Sequence, residues 1–129
     1  MIKFNTDILG QEWTVCLCSD QEDRRLKECM GLTDWTSRRI VIGRIPEDDT
    51  NLDQPMVMLC KVLRHEMVHA FMFSSGLGDD CMHPEVGHDE TMVDWIAYHL
   101  HRISTVCVDA EHKLTTMIME EKHDRTGAD

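Results

Sequence analysis

One stretch limits the chain more than any other. From Met56 to Phe73, directly after Pro55, the sequence is largely apolar and contains no Gly or Pro. Such a run, closed by Ser75-Gly76-Leu77-Gly78, predicts a helix from about Met56 to Ser74, with Gly past the last turn. Inside it stands His65-Glu66-Met67-Val68-His69. Residues four apart lie one above the other on a helix, so His65 and His69 direct their imidazoles at one point. The flanks (Val62, Leu63, Met67, Val68, Ala70, Phe71 and Phe73) are apolar. Two imidazoles and a carboxylate among such neighbours are costly to desolvate unless they are paired or bind a cation. The pattern therefore predicts a zinc ion held by His65 and His69. Glu66, offset by one residue, is placed to take a proton from a water on that ion.

A catalytic zinc site needs a third protein ligand and an open fourth position. A histidine six residues past His69 would supply one, but the positions three and six residues past His69 are Met72 and Ser75. The other solution is a carboxylate from the following helix. Asp89-Glu90-Thr91-Met92-Val93-Asp94-Trp95-Ile96-Ala97 offers Glu90 and Asp94 four apart on one face. Glu90 is assigned as the third ligand. Asp94 is assigned to accept the N–H of a bound imidazole and fix its orientation. His83, His88 and Asp94 are alternative third ligands. Taken alone, an acidic helix start is accounted for by the helix dipole, and only the pentad gives it this meaning. His99, His101, His112 and His123 are expected on the surface.

The chain has 129 residues, 42% of them hydrophobic, which suits one small domain over residues 1–129. Its net charge of −11 disfavours a nucleic-acid backbone and anionic membranes as partners. No apolar run reaches bilayer length and the first residues carry no apolar export segment, so a cytoplasmic setting is expected. The six cysteines are scattered, and Cys16 and Cys18 would face the same way in a strand. Reduced thiols follow, with Cys60 a small apolar filler in the helix.

The remaining elements are read in order. Ile8 to Cys18 alternates as a strand, with Gly10 marking a turn after a short first strand. Ser19 to Glu28 is charged, a loop or short helix with Leu26 inward. Cys29 to Trp35 and Arg39 to Ile45 read as two strands joined by a turn at Thr36-Ser37-Arg38. Asn51 or Asp53 is expected to cap the long helix. A second helix runs from Glu90 to about Ile103, N-capped by Asp89, with Val93, Ile96, Ala97 and Leu100 as its apolar stripe. A third runs from Val106 to Glu121 around Val108, Leu114 and Ile118, and residues 122–129 are expected to fray. The expected class is α+β: a small three-stranded, mostly antiparallel sheet packed on the histidine-bearing helix and a second, glutamate-bearing helix.

Several pieces together resemble a known family. They are Leu9-Gly10 with Trp13-Thr14-Val15, Gly31 with Asp34, Leu63 to Phe71, Ser75-Gly76-Leu77, Glu90, and Val93-Asp94-Trp95-Ile96-Ala97. Over about Ile8 to Leu100 the chain is similar to small phage and prophage zinc metallopeptidases of the gluzincin type, akin to ImmA/IrrE-like and SprT-like proteins. The resemblance implies the minimal zincin fold and peptide hydrolysis, with a repressor or host regulator as a possible substrate. Glu66 would then be the general base, and Tyr98, His83 or His88 the donor to the oxyanion. Substrate backbone would pair with an edge strand, for which Arg39 to Ile45 is the candidate. The competing reading is a non-enzymatic, zinc-containing interaction or regulatory module of a phage or prophage, in which Cys81, His83 or His88 closes the metal site. A DNA-associated protease is disfavoured by the charge, and a peptidase kept latent by the 79–88 loop is a further reading.

Overall fold

A computed structural model describes residues 1–46, 52–76 and 90–127, the side chains of 90–94 and 97 excepted. Four strands, β1 (Ile2–Ile8), β2 (Gln11–Cys18), β3 (Gly31–Asp34) and β4 (Arg39–Gly43), precede two long helices, α1 (Pro55–Ser74) and α2 (Glu90–Gly127). The class is α+β.

β1 and β2 form a hairpin in which Ile8 pairs with Gln11. Leu9 and Gly10 between them both have positive φ, 52° and 81°. That is the two-residue turn whose twist matches the strands, and Gly10 accepts it without strain. Asp7 Oδ1 also accepts the Gly10 N–H at 3.0 Å. A 3-10 turn at Arg24–Lys27, capped by Asp23, then leads to the edge of the sheet, with Leu26 against Gly43. β3 and β4 form the expected hairpin, closed by Asp34 opposite Arg39.

The sheet corrects the expectation of three mostly antiparallel strands. It has four, in the order β1-β2-β4-β3, and β4 runs parallel to β2. The reason lies in β4 itself. Ile40, Val41 and Ile42 are all buried, so this strand is covered on both faces. A strand apolar on both sides belongs inside a sheet. β3 is half-buried throughout and takes the edge. The expected edge strand, Arg39 to Ile45, is therefore interior, and among the described residues the free edge on that side is β3.

One face of the sheet meets both helices. Ile2, Ile8, Trp13, Val15, Leu17, Ile40 and Ile42 pack against Leu59, Leu63, Met67, Ala70 and Phe71 of α1 and Cys107, Ala110, Leu114 and Ile118 of α2. Both helical sets follow the three- and four-residue spacing of an apolar stripe. On the other face Cys16, Cys18 and Val41 are buried. The described cysteines, Cys81 not among them, are free thiols.

α1 starts where expected, but on Gln54 without a side-chain cap and with Pro55 in its first turn. Asp53 therefore does not cap it, and Asn51 lies outside the described residues, as does the expected cap Asp89. The second and third expected helices are one, 38 residues long. Ser104-Thr105 contains no breaker, and Thr105 Oγ1 donates to the His101 carbonyl at 2.8 Å, so its hydroxyl is satisfied within the helix. The core stripe of α2 accordingly sits in its second half, while Ile96, Leu100 and Val108 are exposed rather than inward. Residues 122–127, expected to fray, continue the helix, and Arg44 fixes this end by a two-pronged ion pair to Glu121, at 3.0 and 3.2 Å. Among the described residues no helix is long and apolar enough to cross a membrane.

Candidate metal centre

α1 lies across β3 and β4, and its position on β3 is set by Gly31. A Cβ built there would stand 2.8 Å from Val62 Cγ1 and 3.2 Å from Glu66 Cγ. Contacts that short are repulsive, so only glycine lets the helix approach so closely. One residue pair further on, the Thr33 hydroxyl lies 2.7 Å from Glu66 Oε2 and 2.9 Å from the Glu66 carbonyl oxygen. Having one proton, it donates to one oxygen at a time. Glu66 is only 7% exposed. A carboxylate buried to that degree needs such a donor.

His65 and His69 lie on the outer side of the same helix, exposed and half-buried respectively. The apolar flanks therefore do not bury the helix all round: Arg64, His65 and Val68 are exposed. Their rings meet edge to face, with the two Nε2 atoms 3.1 Å apart. Two nitrogens bound tetrahedrally to one zinc, each at roughly 2.0–2.1 Å, lie about 3.3 Å from one another. The separation is close to that of two ligands on one tetrahedral ion, and imidazole nitrogen is a donor that zinc favours. Here it is a hydrogen bond between the rings, so the bonding Nε2–H must be given up before both nitrogens bind a metal. Among the described residues no third His, Cys, Asp or Glu joins them.

The expected third ligand opens α2. Trp95 Nε1 donates to Ser75 Oγ at 3.1 Å, and Arg64 pairs with Glu111, so the helices run antiparallel. At 1.5 Å per residue, Ser75 is about 9 Å along the axis from His69. Glu90, the first residue of α2, stands five residues before Trp95. The side chains of Glu90 and Asp94, and all of Cys81, His83 and His88, lie outside the described residues. Tyr98 is 75% exposed, with its ring edge against His99. His101, His112 and His123 are exposed as expected, but His99 is half-buried against Trp95, with no partner for Nδ1 among the described residues.

Beside His65 and Glu66 a cleft of about 300 Å³ opens between β3 and α1, lined by Met30, Gly31, Met58, Lys61 and Val62. Neither Thr33 nor this cleft was legible in the sequence. A lone threonine in a strand and methionines from two distant segments carry no local signal. Gly31 was marked only as part of a motif. No family model, curated protein or solved structure matches the chain.

Proposed function

We propose that the chain is a zinc-dependent peptidase. The observation that carries this reading is the pair of Nε2 atoms of His65 and His69, 3.1 Å apart and directly beside the buried Glu66. A zinc ion there would acidify a bound water and polarise a peptide carbonyl. Glu66 takes the proton from the attacking water and passes it to the leaving amine. When Thr33 donates to Glu66 Oε2, Oε1 takes no bond from it and is left for that transfer. Glu90 is proposed as third ligand, with Asp94 orienting an imidazole, and Tyr98, His83 or His88 as oxyanion donor.

The substrate proposed is an extended segment of protein lying along the free edge of β3. Gly43 N–H bonds to the Met30 carbonyl at 2.9 Å. Hydrogen-bonded and non-bonded pairs alternate along an antiparallel ladder, so Leu32 and Asp34 also face β4. The N–H and C=O groups of Gly31 and Thr33 then point to the open side, next to Glu66. An added strand satisfies them.

The test is Glu66→Gln. The variant is expected to bind one zinc per chain as tightly as the wild type and to lose peptide hydrolysis by a factor of at least about 100. Full activity in Glu66→Gln would refute the mechanism. A second reading, a structural zinc module without turnover, is favoured by the burial of Glu66 against Thr33, which also pins α1 to the sheet. Zinc binding with no hydrolysis in the wild type would select it.

A further inference from the structure

The free edge of β3 offers more than backbone groups. Strand alternation puts Gly31 and Thr33 on the side that meets α1, and Trp35, the first residue of the turn after β3, reaches the same side. Trp35 stacks on Phe73 of α1, ring centroids 6.3 Å apart, yet it is 61% exposed. At the opposite end Met30 is 49% exposed at the mouth of the cleft floored by Met58 and Val62. From Gly31 to Trp35, one residue past the end of β3, is four residues, about 13 Å at strand rise. An aromatic shelf and an apolar cleft therefore bracket Glu66, one at each end of a short free edge.

We propose that this edge selects an extended segment carrying two large apolar side chains four residues apart. One enters the Met30–Met58–Val62 cleft and the other lies on the Trp35–Phe73 stack. This rests on the reading of β3 as the substrate strand. Four residues is the spacing that returns a strand's side chains to the same face at that reach, whereas three turns one of them away. The occupant is a polypeptide because the open groups of Gly31 and Thr33 repeat with strand periodicity, which an extended backbone matches. It carries no net negative charge, because the chain itself stands at −11. Methionines on the cleft side adapt to several apolar shapes, so size matters there more than identity.

The experiment uses the full chain with Glu66→Gln, so that binding is read without turnover. The probes are fluorescein-labelled ten-residue peptides in a Thr/Ser background, with Lys at one end. One carries two Leu four apart, two carry a single Leu at either position, and one carries two Leu three apart. Anisotropy is expected to give at least about tenfold tighter binding for the four-apart peptide than for any other. Trp35→Ser and Met30→Ser change exposed side chains, so the fold survives. Each is expected to abolish the gain from one Leu and leave the gain from the other. Equal binding of the three-apart peptide, or an equal loss for all peptides in either variant, overturns the proposal. The same peptides are then given to the zinc-loaded wild type. Selective binding without cleavage there would refute the peptidase reading and leave this one standing, whereas cleavage without selectivity would do the reverse.

Discussion

Gly31→Ala is the substitution whose outcome the geometry constrains most tightly. The backbone at Gly31 is not in the left-handed region, since among the described glycines only Gly10 and Gly76 have positive φ. On backbone grounds alone, alanine should stabilise by about 0.4–1 kcal/mol, by restricting the unfolded chain. The space says the opposite. The new methyl would meet Val62 Cγ1 at 2.8 Å, Glu66 Cγ at 3.2 Å and the Val41 carbonyl oxygen at 3.2 Å. Carbon atoms in ordinary contact are about 3.5–4.0 Å apart, so α1 must retreat by roughly an ångström at Val62. Overpacking of that kind costs about 1–3 kcal/mol. The net expectation is a loss of about 1–2 kcal/mol. It would be read as a lower urea midpoint at unchanged slope. Val62→Ala removes the closest clashing atom. In the Val62→Ala background, Gly31→Ala should be near neutral, giving a coupling of about 1 kcal/mol or more between the two positions. If Gly31→Ala alone is neutral, or if the two changes simply add, α1 does not rest on β3 as described.

Further outcomes follow from the same contacts. A thousandfold excess of zinc over its dissociation constant should raise stability by about 4 kcal/mol, and His69→Ala should abolish that rise in a melting experiment with and without chelator. The Thr36 hydroxyl and then the Arg25 guanidinium hold the Asp34 carboxyl down at about 2. A depressed carboxyl contributes stability that is present above its unfolded value near 4 and is lost as pH falls towards 2. Asp34→Asn should flatten that acid limb of the urea midpoint. Because the pair is partly solvated, the change should stay below about 1 kcal/mol. Burial pushes the Cys107 thiol up to about 11. Among the described cysteines, exposed Cys29 should therefore react first with a thiol reagent at pH 8, and Cys29→Ser should remove that phase. Cys107 should react only after unfolding.

Where a signal repeats over a whole element, the sequence was informative. The Pro55-to-Gly76 punctuation fixed α1 almost to the residue. Alternation located β2, and the turn residues at Gly10 and at Thr36-Ser37-Arg38 located β1 and the β3–β4 hairpin, because each signal rests on neighbours in the chain. The reading failed where a choice between partners decided the outcome. Nothing local distinguishes an interior strand from an edge strand except burial on both faces. The run Ile40-Val41-Ile42 carried that hint, yet the parallel pairing with β2 depends on Ser19 to Met30 crossing the sheet. Splitting α2 in two had a similar cause. An apolar stripe that moves along a helix looks like two helices until the packing is known.

What the sequence determined by itself is the convergence of His65 and His69, since helical spacing four apart imposes it on any α-helix, together with the offset of Glu66. Only the tertiary structure decided what Glu66 faces. Thr33 and Gly31 come from a strand more than thirty residues away, and their place beside the carboxylate is a consequence of β3 taking the edge and α1 settling on a glycine. Spacing along one element is encoded within that element, whereas contact between elements depends on shape that no single segment contains.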